Sequence, residues 1–152
     1  MAMTGVSELF VDTNILIYAT NSFSPWHRLA SDRLQDLRRL GIDLVISTQI
    51  VREYLAVASR SSVTTGSPRI SEMLDNVQVF RAQFRLVLNT EFVLDQLVTL
   101  IQSIPVAGRQ VHDANIVATM QVYGVNHLLT HNTKDFERFA HLITVVPLEP
   151  MP

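Results

Sequence analysis

The chain contains no cysteine. Disulfide bonds, thiolate metal sites and cysteine nucleophiles are therefore excluded, and we expect a protein of the reducing cytoplasm. The chain also lacks an uncharged apolar run of about 18 residues, the length that a transmembrane helix needs. Its N-terminal stretch has no basic segment and carries Glu8 early in its apolar part. We therefore expect neither a secretory signal nor a contact with membranes.

Several sequence motifs of common enzyme classes are missing as well. No G-x-G-x-x-G or G-x-x-x-x-G-K-[ST] motif is present, so dinucleotide and P-loop sites lack their phosphate-binding loops. There is no G-x-S-x-G elbow and no H-E-x-x-H spacing, which argues against a serine hydrolase or a histidine-bound zinc. The net charge is −2, so no global basic field attracts nucleic acid, and any phosphate contact is local or runs through a bound cation.

What is present is an ordinary globular composition, with 47% hydrophobic and 17% charged residues in a chain of 152. This length suits one domain spanning residues 1–152. The mean hydropathy of +0.21 is high for a chain of this size, which indicates that a partner covers some apolar surface.

Short apolar segments that predict strands alternate with one-sided apolar stripes that predict helices. The stripe that follows Pro25 extends to Leu40, and the Ser/Thr-rich stretch Ser61–Pro68 predicts a loop. We place strands at 9–11, 44–46, 84–88, 127–130 and 143–146, and helices at 15–19, 25–40, 48–58, 70–83, 90–104, 111–123 and 134–139. This alternation predicts an α/β fold, a three-layer α/β/α sandwich around a short, mostly parallel sheet.

Acidic residues follow the predicted strands or open the next helix. Asp12 directly follows the first strand, Glu53 lies about a turn and a half into the helix after the second, and Asp135 follows the strand 127–130. Asp113 lies in the first turn of the helix 111–123. Each has a purely structural alternative, as a helix cap, a solvated surface group or a favourable charge at a helix N-terminus.

Taken together, these acids favour a metal site. Ligands of parallel sheets bind outside the carboxyl ends of the strands, where these residues meet. Carboxylates that cluster repel one another, and a hard divalent cation such as Mg²⁺ or Mn²⁺ is the usual reason for their proximity. Such an ion can activate water against a phosphodiester and supplies the positive charge that a net-acidic protein needs to bind RNA.

Four segments of the chain resemble the motifs of PIN-domain ribonucleases. They are Phe10–Tyr18 (FVDTNILIY), Ile50–Leu55 (IVREYL), Val111–Ala118 (VHDANIVA) and Leu128–Phe136 (LLTHNTKDF). The resemblance runs from about residue 8 to residue 147, and the small size of the chain is similar to that of VapC-type toxins. It implies an Mg²⁺- or Mn²⁺-dependent endoribonuclease that inhibits growth by RNA cleavage. It also implies a homodimer and a cognate antitoxin protein whose tail lies in the active-site groove.

The resemblance assigns roles to residues. The metal-binding and catalytic acids are Asp12, Glu53, Asp113 and, in the fourth position, Asp135. Thr13 and Asn14 support Asp12 through hydrogen bonds. Asn132 stands where many relatives carry an aspartate, and we expect it to be a neutral ligand or a substrate contact. This asparagine also keeps a second hypothesis open, a non-catalytic PIN-like interaction module.

Positive charge near the predicted site supplies candidates for RNA binding. Arg109, His112 and Lys134 are the predicted substrate-binding residues, and Arg109 is the strongest because it lies just before His112 and Asp113. We also expect a basic rim around an acidic pocket, made of Arg52, Arg60, Arg69, Arg109 and Lys134. The aromatic side chains show no stacking pattern, so we expect Trp26 and the phenylalanines in the core.

Overall fold

The computed structural model describes residues 3–149. At its centre is a five-stranded sheet with the order β3-β2-β1-β4-β5, in which every neighbouring pair is parallel. The strands are β1 Glu8–Val11, β2 Asp43–Ser47, β3 Arg85–Val87, β4 His127–Thr130 and β5 Thr144–Pro147. Central β1 pairs with β2 on one side and β4 on the other, so Phe10 lies opposite both Val45 and Leu128. The parallel sheet predicted from the alternation of elements is confirmed.

Helices connect the strands and cover the sheet. They are α1 Thr13–Thr20, α2 His27–Arg39, α3 Thr48–Thr65, α4 Ile70–Gln83, α5 Glu91–Ser103 and α6 Gln110–Tyr123, with a 3₁₀ helix at Thr133–Phe139. Helix α1 packs against α2 and α3, α3 against α4, and α5 against α6. No helix among residues 3–149 is both long enough and apolar enough to cross a membrane.

The hydrophobic core is centred on strands β1 and β2 in the middle of the sheet. Residues 9–11 and 45–46 are fully buried, as expected of parallel strands that are covered on both faces and therefore read as continuous apolar runs. Three of the buried polar side chains lie at the ends of strands: Asp12 directly follows β1, and Ser47 and Thr130 are the last residues of β2 and β4. Because the strands are parallel neighbours, these polar side chains lie together at the carboxyl edge of the sheet.

The predicted loop Ser61–Pro68 is wrong over its first five residues, because α3 continues to Thr65. Two hydroxyls that favour a loop in sequence instead bond back to the preceding turn: Thr64 Oγ1 to the Arg60 carbonyl at 3.0 Å and Thr65 Oγ1 to the Ser61 carbonyl at 2.8 Å. Such back-bonding keeps Ser and Thr compatible with a helix. Gly66, which follows the last helical residue and has a φ of 74° that suits glycine, caps the helix.

Three apolar residues that the sequence predicts in the core are exposed in the structure. Leu40 is 69% exposed because α2 ends one residue earlier, at Arg39. Phe92 is 66% exposed because its neighbour Val93 faces the core, and adjacent helical residues point about 100° apart. Phe23, in the turn between α1 and α2, is 83% exposed. Trp26 is partly exposed and packs at the edge of the core.

Candidate active site

A groove of about 840 Å³ opens at the carboxyl edge of the sheet. It lies where β1 and β4 end and where α3 and α6 begin. The structure brings together in it all four predicted acids and most of the predicted supporting residues. Its polar and charged lining consists of Asp12, Thr13, Asn14, Tyr18, Gln49, Arg52, Glu53, Arg109, Gln110, His112, Asp113, Asn132 and Asp135.

Asp12 is the most buried of the acids, with 8% of its surface exposed. Its Oδ1 accepts a hydrogen bond from the Thr13 backbone N–H at 2.7 Å, which caps α1. Its Oδ2 accepts from Thr130 Oγ1 at 2.7 Å and from Asn14 Nδ2 at 3.2 Å. The capping alternative is therefore correct, yet it does not compete with a functional role, because the capped carboxylate still lines the groove.

The residues around Asp12 also tie β1 to the segment that follows β4. Asn14 Oδ1 accepts from the His131 backbone N–H at 3.2 Å, and Thr130 Oγ1 accepts from the Asn132 backbone N–H at 3.1 Å. The side chains that hold the Asp12 carboxylate thus also fix the start of the loop carrying Asn132. Such outer hydrogen bonds orient a ligand before any cation or substrate arrives.

Glu53 is held at both carboxylate oxygens. Its Oε2 accepts from Thr13 Oγ1 at 2.7 Å, and its Oε1 accepts from Gln49 Nε2 at 2.8 Å. Gln49 is 4% exposed, donates also to the His112 carbonyl at 3.0 Å, and accepts at Oε1 from Asn115 Nδ2. It therefore joins α3 to α6 beneath the groove.

Gln49 is a site residue that sequence reasoning missed. One signal was available, because Gln49 precedes Glu53 by four residues and so lies on the same face of α3. Its partners on α6, however, could be known only once α3 and α6 were placed side by side.

The remaining acids are held much less firmly. Within residues 3–149, no hydrogen bond is formed by the side chains of Asp113, Asp135 or Asn132, although all three line the groove. Asp113 lies in the first turn of α6 and is partly buried, whereas Asp135 and Asn132 are exposed. Their positions are set by the backbone, and no hydrogen bond to the described residues fixes their side-chain oxygens or the Asn132 amide.

Burial and mutual repulsion make two of the acids hard to ionise. Burial raises the pKa of Asp12 to about 6, helped by the charges of Glu53 and Asp135 and opposed by the hydrogen bonds from Thr130 and Thr13. The pKa of Asp113 rises to about 7, mainly through burial and then through the negative charges of Asp135, Asp12 and Glu53, with Arg109 acting in the opposite direction. The four carboxylates therefore act on one another electrostatically.

No lysine or arginine in the described part of the chain lies within ion-pair distance of any of these four acids. A buried carboxylate without a cationic partner is unfavourable in its charged form. The groove thus has an excess of negative charge that the neighbouring side chains do not neutralise.

The donor set fits a hydrated divalent cation. Among residues 3–149, no three His, Asp or Glu side chains form a closed set of ligands around one point, so a fully protein-coordinated ion does not match. Mg²⁺ and Mn²⁺ prefer carboxylate oxygens, and Mg²⁺ commonly keeps several waters while using one or two carboxylates. An open groove with unneutralised carboxylates suits such an ion.

The predicted basic rim is only partly assembled. Arg52, Arg109 and His112 line the groove, whereas Arg60, Arg69 and Lys134 are not among its lining residues. Arg69 instead pairs with Glu72 one turn further along α4, at 2.8 Å. Lys134 is exposed at the start of the 3₁₀ helix. Positive charge at the groove therefore comes from α3 and from the start of α6.

Comparison with known proteins gives one consistent result. Residues 9–142 match the PIN domain family. Ribonuclease VapC24 from Mycobacterium tuberculosis is 27% identical over 133 residues, which cover 87% of this chain and 91% of that protein.

Solved structures with the same fold include VapBC2 from Rickettsia felis, bound to a DNA fragment from its promoter. It has a TM-score of 0.70 and 18% identity, over 92% of this chain and 98% of the other. A toxin–antitoxin complex from Klebsiella pneumoniae has a TM-score of 0.63 and 24% identity, over 94% of this chain and 99% of the other. These structures share the arrangement of sheet and helices described above.

Proposed function

The chain belongs to the PIN-domain family, and on that premise we propose that it is a metal-dependent endoribonuclease acting in the cytoplasm. The observation that carries the proposal is a single groove with four carboxylates, of which Asp12 is buried and none has a cationic partner in the described part of the chain. The similarity to a protein named ribonuclease VapC24 supports RNA as the substrate.

Asp12, Glu53, Asp113 and Asp135 would hold Mg²⁺ or Mn²⁺. When bound, such an ion supplies Lewis-acid polarisation of the phosphodiester and lowers the pKa of a coordinated water. Thr13 and Asn14, together with Thr130, keep the oxygens of Asp12 and Glu53 oriented toward the groove. Asn132, which is neutral and has a freely turning amide, contacts the substrate or serves as a neutral ligand.

The cationic residues bind the phosphates that flank the cleaved bond. Arg109 and His112 are at the start of α6, where backbone N–H groups also favour anions. Arg52 lies across the groove on α3. Lys134 is outside the groove and would contact a more distant phosphate. Local positive charge of this kind lets a chain with a net charge of −2 bind RNA.

We further propose that the chain is the toxin of a toxin–antitoxin pair and forms a homodimer. The Klebsiella pneumoniae neighbour is a toxin–antitoxin complex, and an antitoxin tail in the groove would block substrate. Large apolar side chains on α5 are exposed, namely Phe92, Leu94 and Val98. Exposed apolar patches of this kind commonly lie against a partner.

Expression of the chain in bacteria tests the proposal. The unaltered chain should arrest growth and cleave RNA when Mg²⁺ or Mn²⁺ is present, whereas Asp12→Asn should do neither while keeping its circular dichroism spectrum. Asp75→Asn, an exposed acid on α4, is the matched control and should behave like the unaltered chain.

Titration with Mn²⁺ separates this proposal from a non-catalytic interaction module. A metal-dependent nuclease should show heat of binding and a raised melting temperature, because a ligand that binds the folded state stabilises it. Full activity of a clean Asp12→Asn preparation, or no response of the unaltered chain to Mn²⁺, would contradict the proposed function.

A further inference from the structure

Three aromatic side chains meet next to the groove: Tyr18 on α1, Trp26 just before α2 and, from a distant part of the chain, His131 after β4. We propose that this aromatic cluster is a stacking site for a nucleobase of single-stranded RNA adjacent to the cleaved phosphate. The inference rests on the proposed function and assigns a subsite to its substrate.

The three rings of the cluster pack against one another at tilted or edge-to-face angles. The rings of Trp26 and His131 have centroids 4.6 Å apart, and that of Tyr18 lies 5.4 Å from His131 in an edge-to-face arrangement and 6.5 Å from Trp26. All three side chains are partly exposed. The imidazole Nδ1 of His27 and the carbonyl of Tyr18 are 2.9 Å apart, which fixes the turn from α1 to α2. The aromatic cluster is therefore held in place while part of it remains open to solvent.

The cluster reaches the groove through Tyr18, which lines it, whereas Trp26 and His131 are not among the lining residues. His131 is preceded by Thr130, which donates to Asp12, and is followed by Asn132, which lines the groove. The backbone N–H of His131 donates to Asn14 Oδ1 at 3.2 Å, which links the cluster to the same hydrogen bonds that hold Asp12. A base stacked here would belong to a nucleotide next to the phosphate at the acids.

The polar ring atoms of the cluster are unused. Within residues 3–149, the Tyr18 hydroxyl, Trp26 Nε1 and the His131 ring nitrogens have no hydrogen-bond partner, and none of them is enclosed by protein. The other two tyrosines differ, because Tyr54 bonds Thr20 and Asn76 and Tyr123 bonds the backbone of Leu88. The polar edges of the cluster are therefore free to bond a ligand.

A nucleobase matches this combination of surfaces. Single-stranded RNA is commonly recognised by stacking of unpaired bases on aromatic rings, with hydrogen bonds to their edges. The aromatic faces offer the stacking surface, and the free ring polar atoms and the Asn132 amide offer donors and acceptors. Phosphate contacts come from Arg109 and His112, which start α6 and are not part of the cluster. The groove thus offers a base site and phosphate sites on different elements.

The sequence contains one tryptophan, so the fluorescence excited selectively at tryptophan in the unaltered chain reports on the cluster alone. In buffer with Ca²⁺ in place of Mg²⁺ or Mn²⁺, which supplies divalent charge to the acids but activates a bound water poorly, the protein is titrated with a short oligouridylate. The matched probe is an oligomer of the same length and charge in which stable abasic sugars replace the nucleosides. We expect the oligouridylate to quench Trp26 and to bind about tenfold more tightly than the abasic oligomer, which should leave the fluorescence unchanged.

A pair of variants tests the same site without the fluorescence signal, using the anisotropy of labelled RNA. Trp26→Leu should lower the affinity for oligouridylate about tenfold and leave the affinity for the abasic oligomer unchanged. Phe23→Leu is the matched control, since Phe23 is an exposed aromatic in the same turn and outside the cluster; it should change neither affinity. His131→Leu should repeat the result if Trp26→Leu does not fold.

The outcomes separate this inference from the proposed function. Equal quenching and equal affinity for the two oligomers, in a chain that cleaves RNA with Mn²⁺, would overturn the base site alone. Loss of both affinities together in Trp26→Leu would mean a structural brace and would also overturn it. Quenching by an aromatic peptide and not by RNA would assign the cluster to a protein partner. Binding of neither oligomer, without RNA cleavage, would overturn the base site and the proposed function together.

Discussion

The two halves of the acidic groove are built differently. Asp12 and Glu53, which we call the fixed half, accept five side-chain or backbone hydrogen bonds between them, from Thr13, Asn14, Gln49 and Thr130. Asp113 and Asp135, which with Asn132 we call the mobile half, accept none in the described part of the chain. The fixed half lies between β1 and α3, and the mobile half lies on the first turn of α6 and on the 3₁₀ helix.

This difference indicates a division of labour. Carboxylates that are already oriented lose little conformational freedom when a cation binds, so the fixed half can define where the ion lies. Side chains that still turn can adjust to RNA phosphates of different geometry. The comparison therefore predicts that changes in the fixed half abolish activity, whereas changes in the mobile half reduce it.

The largest expected effect contrasts one acid from each half. Asp12→Asn should lower kcat/KM for RNA cleavage by more than about 100-fold, and Asp135→Asn by about tenfold, since loss of oriented ligands is the more severe defect. Cleavage of a labelled RNA with Mn²⁺ measures both. Equal losses in the two variants would show that the distinction between fixed and mobile halves has no functional meaning.

Stability of the metal-free protein should fall as pH rises. The carboxyls of Asp12 and Asp113 have folded-state pKa values of about 6 and about 7, above their ordinary value of 3.8, so the folded state holds these protons more tightly than the unfolded state. Their contribution to the unfolding free energy is full below pH 3.8 and is lost as pH rises to about 7. We expect a loss of about 3 kcal/mol from Asp12 across this window and a further loss from the half-buried Asp113, measured by urea unfolding.

The same pH series, repeated with Mg²⁺ or Mn²⁺, tests whether the two acids that lose protons are the ones that bind the cation. Mg²⁺ or Mn²⁺ binds the ionised carboxylates, so saturating cation should restore stability at pH 7.5 and have little effect at pH 4.5. The Asp12→Asn variant, which has one fewer repelling charge, should show a flatter pH dependence without metal. A steeper dependence in that variant would contradict the assignment of the pH effect to Asp12.

Gln49→Leu tests whether the fixed half depends on its supporting hydrogen bonds. The change removes a donor from Glu53 and leaves the Asn115 amide and the His112 carbonyl without their partner, so we expect about tenfold lower kcat/KM and about 1–3 kcal/mol lower stability. Gln35→Leu, at an exposed position on α2, is the control and should change neither quantity. Full activity of Gln49→Leu would mean that Glu53 needs no positioning.

The smallest expected effect concerns Arg109, at the mobile half. Arg109→Ala should weaken RNA binding a few-fold at low salt and reduce the slope of log affinity against log salt by about one phosphate contact, with metal binding retained. Arg28→Ala, a well-exposed arginine on α2, is the control. An unchanged salt slope would place Arg109 outside the path of the RNA.

Much of the fold could be predicted because its signals are local. Apolar periodicity gave α4 and β4 with their bounds and the end of α6 at Tyr123. The prediction failed where local signals are ambiguous. The Ser/Thr stretch at 61–65 is helical because its hydroxyls bond back to the helix, and a hydroxyl-rich segment can satisfy its backbone in either state.

The sequence by itself determined which residue types reach the carboxyl edge of the sheet, because a residue that directly follows a strand must lie there. Asp12 directly follows β1, and Asn132 lies two residues after the end of β4. Only the tertiary structure decided which side chains touch: that Gln49 bridges Glu53 to α6, that Thr130 holds Asp12, and that Trp26 meets His131. Periodicity reports the apolar face of one element, whereas a contact between distant segments depends on strand order and helix packing, here on β1 lying between β2 and β4.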